Sequence, residues 1–208
     1  MLDAGADARA GEPGTDADAD ADADADAAVA RFFVITGGPG SGKSTLIDAL
    51  EARGCARSHE AGRGVIQDQT AIGGHALPWR DRAAFAELML GWEMRSHHLA
   101  RRARGPVFFD RGVPDVIGYL TLSALPVPAH LAAAAERFRY CRDVFIAPPW
   151  PEIYVQDAER KQDYAQAVRT YDTMVDTYAA CGYRLIELPR ASVDERCRFV
   201  LDFVAAAA

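Results

Sequence analysis

The chain predicts an α/β fold built on a parallel sheet covered on both faces. Three observations carry that expectation. Five short runs, each almost wholly apolar, are separated by stretches with helical spacing, and strands buried on both faces read as continuous apolar runs. A glycine-rich turn follows the first run and opens a helix. Half of the 208 residues are hydrophobic, which suits one ordinary core.

The first strand is FFVIT, residues 32–36, followed by a helix over 44–53 that Gly54 ends. Residues 55–59 form a weak second strand. A long helix is expected over 82–104, where Phe85, Leu88, Met89, Trp92 and Leu99 recur at helical spacing and Gly105-Pro106 stops it. Residues 106–110 form the third strand. A helix over 129–139 leads to the fourth, 143–147, which Pro148-Pro149 breaks. A helix over 163–180 ends near Gly182, and the fifth strand is 183–188. Ser192 and Glu195 are spaced as a capping box that starts the last helix. No internal repeat or second-domain boundary is visible, so one domain is expected over 31–208.

Residues 1–30 are a different material. They end in an alternating Asp-Ala tract and hold nine acids against Arg9 alone, a charge of −8. Such a segment cannot bury enough apolar surface to offset its chain entropy, so a disordered acidic tail is expected. Against the net charge of −7, that leaves residues 31–208 near +1. The bulk charge therefore excludes a basic nucleic-acid binder. No apolar run approaches the roughly 20 residues that span a bilayer, so no membrane partner is expected. The N-terminus has neither a secretory nor a transit pattern. Cys55, Cys141, Cys181 and Cys197 are widely spaced, which fits free thiols in a reducing, cytoplasmic compartment. Only two lysines occur, Lys43 and Lys161, among 23 basic residues. A lysine kept in so arginine-rich a chain marks a place for a compact ammonium.

Residues 37–44, GGPGSGKS, satisfy GxxxxGK[ST] between a strand and a helix, the context that defines a P-loop. Glycines let successive N–H groups converge on a phosphate, and the helix N-terminus adds donors and a positive dipole end. Gly38, Pro39, Gly40, Ser41, Gly42, Lys43, Ser44 and Thr45 are the expected nucleotide site for ATP. Lys43 would reach the β- and γ-phosphates, Ser44 would ligate Mg²⁺, and Thr45 would meet the α-phosphate. The expected fold is thus the three-layer P-loop NTPase type with a five-stranded parallel sheet.

No NKxD and no DxxG follows the third strand, so a switch GTPase is not indicated. That strand ends in Asp110-Arg111 instead. A carboxylate there lies beside the P-loop, where it can hold Mg²⁺ or accept a proton, and Arg111 can neutralise a transferring phosphoryl. After the second strand, Glu60 is a candidate general base and Arg63 a candidate acceptor contact; a helix-terminal acid with an exposed arginine reads equally well. Asp115 is a further candidate carboxylate or a helix cap. Arg160 and Lys161 fall where a cationic lid would fold over the triphosphate. Trp79, in the loop 73–79, is either a wall of an acceptor pocket or a hydrophobic staple of the helix that follows. The loop 189–193 is placed to touch the adenine. Arg95, His97, His98, Arg101, Arg102 and Arg104 read as a solvated, dipole-compensating helix end rather than a metal or nucleic-acid site.

The runs FVITGGPGSGKSTL (33–46), HEAGRGVI (59–66), GGHALPW (73–79), PVFFDRGVPDVIGYL (106–120) and VFIAPPWPEIYVQDAERKQ (144–162) resemble a known group. These are the small stand-alone P-loop proteins grouped as AAA-domain predicted ATPases. They are similar to the ribosylnicotinamide-kinase domain of bifunctional NAD-biosynthesis regulators. The resemblance implies a domain of the nucleoside/nucleotide-kinase type, with Gly38, Gly40, Gly42, Lys43, Ser44 and Thr45 at the nucleotide and Asp110-Arg111 as the acid-arginine element. No ring-forming lid domain is expected after the core. The function expected is transfer of the γ-phosphoryl of ATP to a small hydroxyl-bearing, nucleoside-like acceptor. The alternatives are an ATPase that drives a partner and a nucleotide-binding regulatory module. Removing residues 1–30 is expected to leave the melting temperature and turnover nearly unchanged; a large loss of either would show that the tail folds or binds.

Overall fold

A computed structural model describes residues 28–153 and 164–207. Five parallel strands, β1 (Phe32–Gly37), β2 (Ala56–Arg57), β3 (Val107–Asp110), β4 (Asp143–Ala147) and β5 (Arg184–Glu187), form one sheet in the order β2-β3-β1-β4-β5. Seven α-helices are present among the described residues: α1 (Lys43–Glu51), α2 (Ala61–Ala71), α3 (Arg82–Ala100), α4 (Val113–Leu122), α5 (Ala129–Arg137), α6 (Tyr164–Ala180) and α7 (Val193–Ala207). None is long and apolar enough to cross a membrane.

The three layers follow from side-chain alternation along β1. Phe32 and Val34 enter one apolar cluster, with Val107, Phe109, Val144 and Ile146. Phe33 and Ile35 enter the other, with Phe108, Phe145 and Ala147. The second cluster is closed by Leu46, Ile47 and Leu50 of α1 and by Cys197 and Val200 of α7. The first is closed by α2 to α6, through residues such as Val65, Phe85, Val116, Leu131 and Tyr178. The residues of the central strands β1, β3 and β4 are sandwiched between two helical layers, which is why those runs are largely apolar, whereas the edge strands β2 and β5 are only partly buried.

The strands and the capping box stand where the sequence placed them, within a residue or two at most ends. Ser192 N donates to Glu195 Oε2 at 3.0 Å, and Glu195 N donates back to Ser192 Oγ at 3.4 Å. The helix expected over 82–104 ends at Ala100. In the turn that follows it, the carbonyls of Arg101, Ala103 and Gly105 accept from the Arg31 guanidinium. Ala28, placed in the tail by composition, is buried in the first cluster.

Two helices were hidden from the sequence, α2 and α4. Both carry glycines that look like helix breakers and are packing contacts. A Cβ on Gly64 would lie 2.4 Å from the Trp92 ring, and one on Gly118 would lie 2.6 Å from Met174 Cε. Helices α2 and α3, and α4 and α6, approach closely only because those side chains are missing. Pro114 fits the first turn of α4, where no intrahelical donor is needed.

His97 corrects the solvated helix end. It is 1 % exposed, faces Phe32, Phe138 and Tyr140 edge-on, and meets the Arg139 carbonyl at 2.8 Å through Nε2. Burial pushes its pKa down, with Arg101 and His98 adding to the effect and the Arg139 carbonyl opposing it. The folded state thus prefers neutral His97. Its contribution is full above about pH 6.5, the unfolded value, and is lost as pH falls through the lower folded value. The melting temperature of the wild type relative to His97→Leu is therefore expected to fall between pH 7 and pH 5. A gap that does not change with pH would refute this account.

Candidate active site

The P-loop joins β1 to α1 at the C-terminal edge of the sheet. Gly42 adopts φ 75° at the helix N-cap, a left-handed conformation that disfavours any side chain. Gly38 lies against α6, where a Cβ would come within 2.4 Å of the Ala167 carbonyl. Lys43 Nζ, buried, donates to Gly38 O at 2.6 Å and to Ser41 Oγ at 3.2 Å. Ser41 Oγ also donates to Gly38 O at 2.8 Å. Ser44 and Thr45 are exposed on the same turn.

Pairing of Ile35 with Asp110 puts that carboxylate at the end of β3, beside the loop. Ser44 Oγ donates to Asp110 Oδ2 at 3.3 Å, and Asp110 Oδ1 is buried with no partner. Burial raises the Asp110 pKa and Glu60 adds to it, against Lys43, Arg111 and the Ser44 hydrogen bond. A hydroxyl and a carboxylate with a spare oxygen form a hard-oxygen donor set, the kind that suits Mg²⁺ shared with phosphates.

Arg111 follows with φ 76°, and its N–H is held by Ile35 O at 3.2 Å. A non-glycine residue in that region stores strain, and the surroundings must hold it there. Asp115 does so. Its Oδ1 accepts from Arg111 Nη1 at 2.9 Å and Thr36 Oγ1 at 2.6 Å. Its Oδ2 accepts from Gly112 N at 3.1 Å and Tyr178 OH at 2.6 Å. Both oxygens are saturated. The sequence left Asp115 open as a base or a cap; the structure makes it the cap of α4 and the anchor of Arg111. On Arg111, burial works against the charge, but Asp115, Glu60 and Asp110 together outweigh it and push the pKa up.

Glu60 completes the arrangement from the end of β2. Arg111 Nε donates to its Oε1 at 3.3 Å, and Arg63 Nε lies 3.9 Å from its Oε2. Its side chain is 9 % exposed. The structure therefore brings Glu60, Asp110, Arg111 and the P-loop together. Arg160 and Lys161 lie outside the described residues.

Sequence reasoning missed two parts. Arg196 of α7, buried, donates through both terminal nitrogens to Ser41 O at 3.3 Å and clasps the loop from the far side. Nothing in the pattern around it marked it. The other part is a cavity of about 480 Å³ beside the loop, walled by α2, α3, α4 and α6. Pro39, Glu60, Arg111, Trp79, Glu93 and Tyr119 are among its lining residues. Trp79 is 61 % exposed and forms part of that wall.

This geometry is that of a P-loop domain on a five-stranded parallel sheet. The chain belongs to the AAA domain family, which it matches over residues 32–196. No curated protein matches it. Among solved structures it is similar to NadR protein in complex with NR, with a TM-score of 0.67 and 14% identity over 86% of this chain and 51% of NadR. It therefore spans about half of NadR's length. It is also similar to deoxyadenosine kinase from M. mycoides, at TM-score 0.58 and 10% identity over 84% of this chain and 99% of that one. Thymidylate kinase from Ehrlichia chaffeensis matches at TM-score 0.56 and 14% identity, over 85% and 98% of the two chains. Identities this low show a shared fold.

Replacing Asp115 with Asn strands two of four buried donors and frees Arg111. Asp115→Asn is expected to cost about 3–5 kcal/mol in a urea titration, the scale for losing one member of a buried pair. A loss below about 1 kcal/mol would sink the anchoring role.

Proposed function

We propose that this protein is an ATP-dependent small-molecule kinase that transfers the γ-phosphoryl to a hydroxyl of a nucleoside-like acceptor. The observation that supports this best is the cavity of about 480 Å³ abutting Pro39, with Glu60 and Arg111 in its wall. A hydrolase needs room for a water molecule; this volume suits a small organic ligand. The kinase names of two structural neighbours agree with that reading.

In this reading the loop amides from Gly38 to Ser44 and the Lys43 ammonium grip the β- and γ-phosphates, and Thr45 meets the α-phosphate. Ser44 and Asp110 would hold Mg²⁺, which neutralises phosphate charge when bound. Arg111, fixed by Asp115, faces the transferring phosphoryl and stabilises its oxygens. Glu60 takes the acceptor's proton: Asp115, though it also lines the cavity, has both oxygens saturated, Asp110 is assigned to Mg²⁺ with Ser44, and Glu60 lines the cavity. The four free cysteines support a reducing, cytoplasmic setting.

A screen of hydroxyl-bearing metabolites for ADP release from Mg-ATP tests the reading. Acceptor-stimulated release supports a kinase; steady release that no acceptor changes makes it an ATPase. Lys43→Ala is expected to abolish turnover with a native far-UV circular dichroism spectrum. Glu60→Gln is expected to lower kcat by roughly 10²- to 10⁴-fold with little change in acceptor KM; an unchanged kcat would remove Glu60 as the base.

A further inference from the structure

Glu93 has no role in the chemistry above, yet its position is costly. It lies in the middle of α3, 2 % exposed, and its Oε2 is buried without a hydrogen-bond partner. It also lines the cavity beside the P-loop. An orphaned carboxyl oxygen inside a folded domain is destabilising and is kept only where something repays it. Phe85, Met89, Trp79 and Tyr119 give the cavity an aromatic and thioether wall, alongside Arg82, Arg111 and Arg169.

We propose that Glu93 is the specificity residue of the acceptor pocket, its carboxyl group accepting an N–H from an amino-bearing heteroaromatic ring. The inference rests on the kinase reading and names the acceptor class within it: a nucleoside whose base carries an exocyclic amine.

Two features set the direction of this hydrogen bond. Asp115, Asp110 and Glu60 all act on Glu93 electrostatically with negative sign, against Arg111 alone. The positive end of a ligand dipole, an N–H, is favoured in that field, and a carbonyl lone pair is repelled. An amine is also accepted by a carboxylate oxygen or by the carbonyl oxygen of the neutral acid. Burial, with Asp115 and Asp110, pushes the Glu93 pKa well up, so an acceptor site that serves in both protonation states fits the environment. The aromatic and thioether walls supply the apolar contact that a planar base requires.

The test uses matched pairs that differ by one group, adenosine against inosine and cytidine against uridine. With wild-type protein and Mg-ATP, the amino member of at least one pair is expected to be favoured about tenfold or more in kcat/KM, the scale for leaving a buried polar group unpaired. Glu93→Met keeps the size and removes every acceptor, so the amino-to-oxo ratio should collapse to within roughly threefold, while KM for Mg-ATP moves less than about threefold. Calorimetric binding of the four nucleosides to the wild type gives the same ratio without a variant. An unchanged ratio in Glu93→Met, or an oxo preference in both pairs, overturns the role of Glu93. If none of the four is phosphorylated or bound while another hydroxyl compound is, this inference falls and the kinase reading stands. If ADP release responds to no acceptor at all, the kinase reading falls first and takes this with it.

Discussion

One carboxylate holds the cleft in shape. Asp115 ties together Thr36 at the end of β1, Arg111 and Gly112 after β3, and Tyr178 of α6, with two hydrogen bonds on each oxygen. With Ile35 O and Glu60 it holds Arg111 in a left-handed conformation that a long side chain avoids. The P-loop, the acid-arginine turn and the helix behind the cavity are separate stretches of chain. Asp115 makes their relative positions one problem with one solution. Its oxygens are taken up by these four donors, which gives it a structural role.

The site concentrates buried charge to a degree that only mutual pairing sustains. Asp110, Asp115, Glu93, Lys43 and Arg196 are all nearly inaccessible. Desolvation would neutralise isolated groups of this kind. Here Arg111 is kept charged by three neighbouring carboxylates, whereas Asp110 and Glu93, each with an unpartnered oxygen, are pushed toward the neutral form. Asp110 sits beside the loop and the Ser44 hydroxyl; Glu93 lines the cavity beyond. Apolar helices around the cleft exclude water and so strengthen each of these interactions.

Much of this was legible in the linear chain, for a local reason. A P-loop is a contiguous motif, and its glycines, lysine and hydroxyl act through backbone geometry within a few residues. Asp110 and Arg111 were readable because they end a strand next to it. The helices α2 and α4 were not, because Gly64 and Gly118 serve contacts with Trp92 and Met174 from other elements, and a glycine chosen for a neighbour looks like a glycine that breaks a helix. His97 was misread for the same reason: a histidine among arginines suggests solvent until Phe32, Phe109 and Tyr140 close round it.

By itself, then, the sequence determined the fold class, the five parallel strands, the phosphate cradle and the acids beside it, since each depends on short-range pattern and chain connectivity. Tertiary structure alone decided that Asp115 anchors while Glu60 faces the cavity, that Arg196 clasps the loop, and that Glu93 is buried with an oxygen to spare. Those outcomes depend on which helices cross at the cleft, and hydrogen-bond partners 50 or more residues apart leave no spacing in the chain to read.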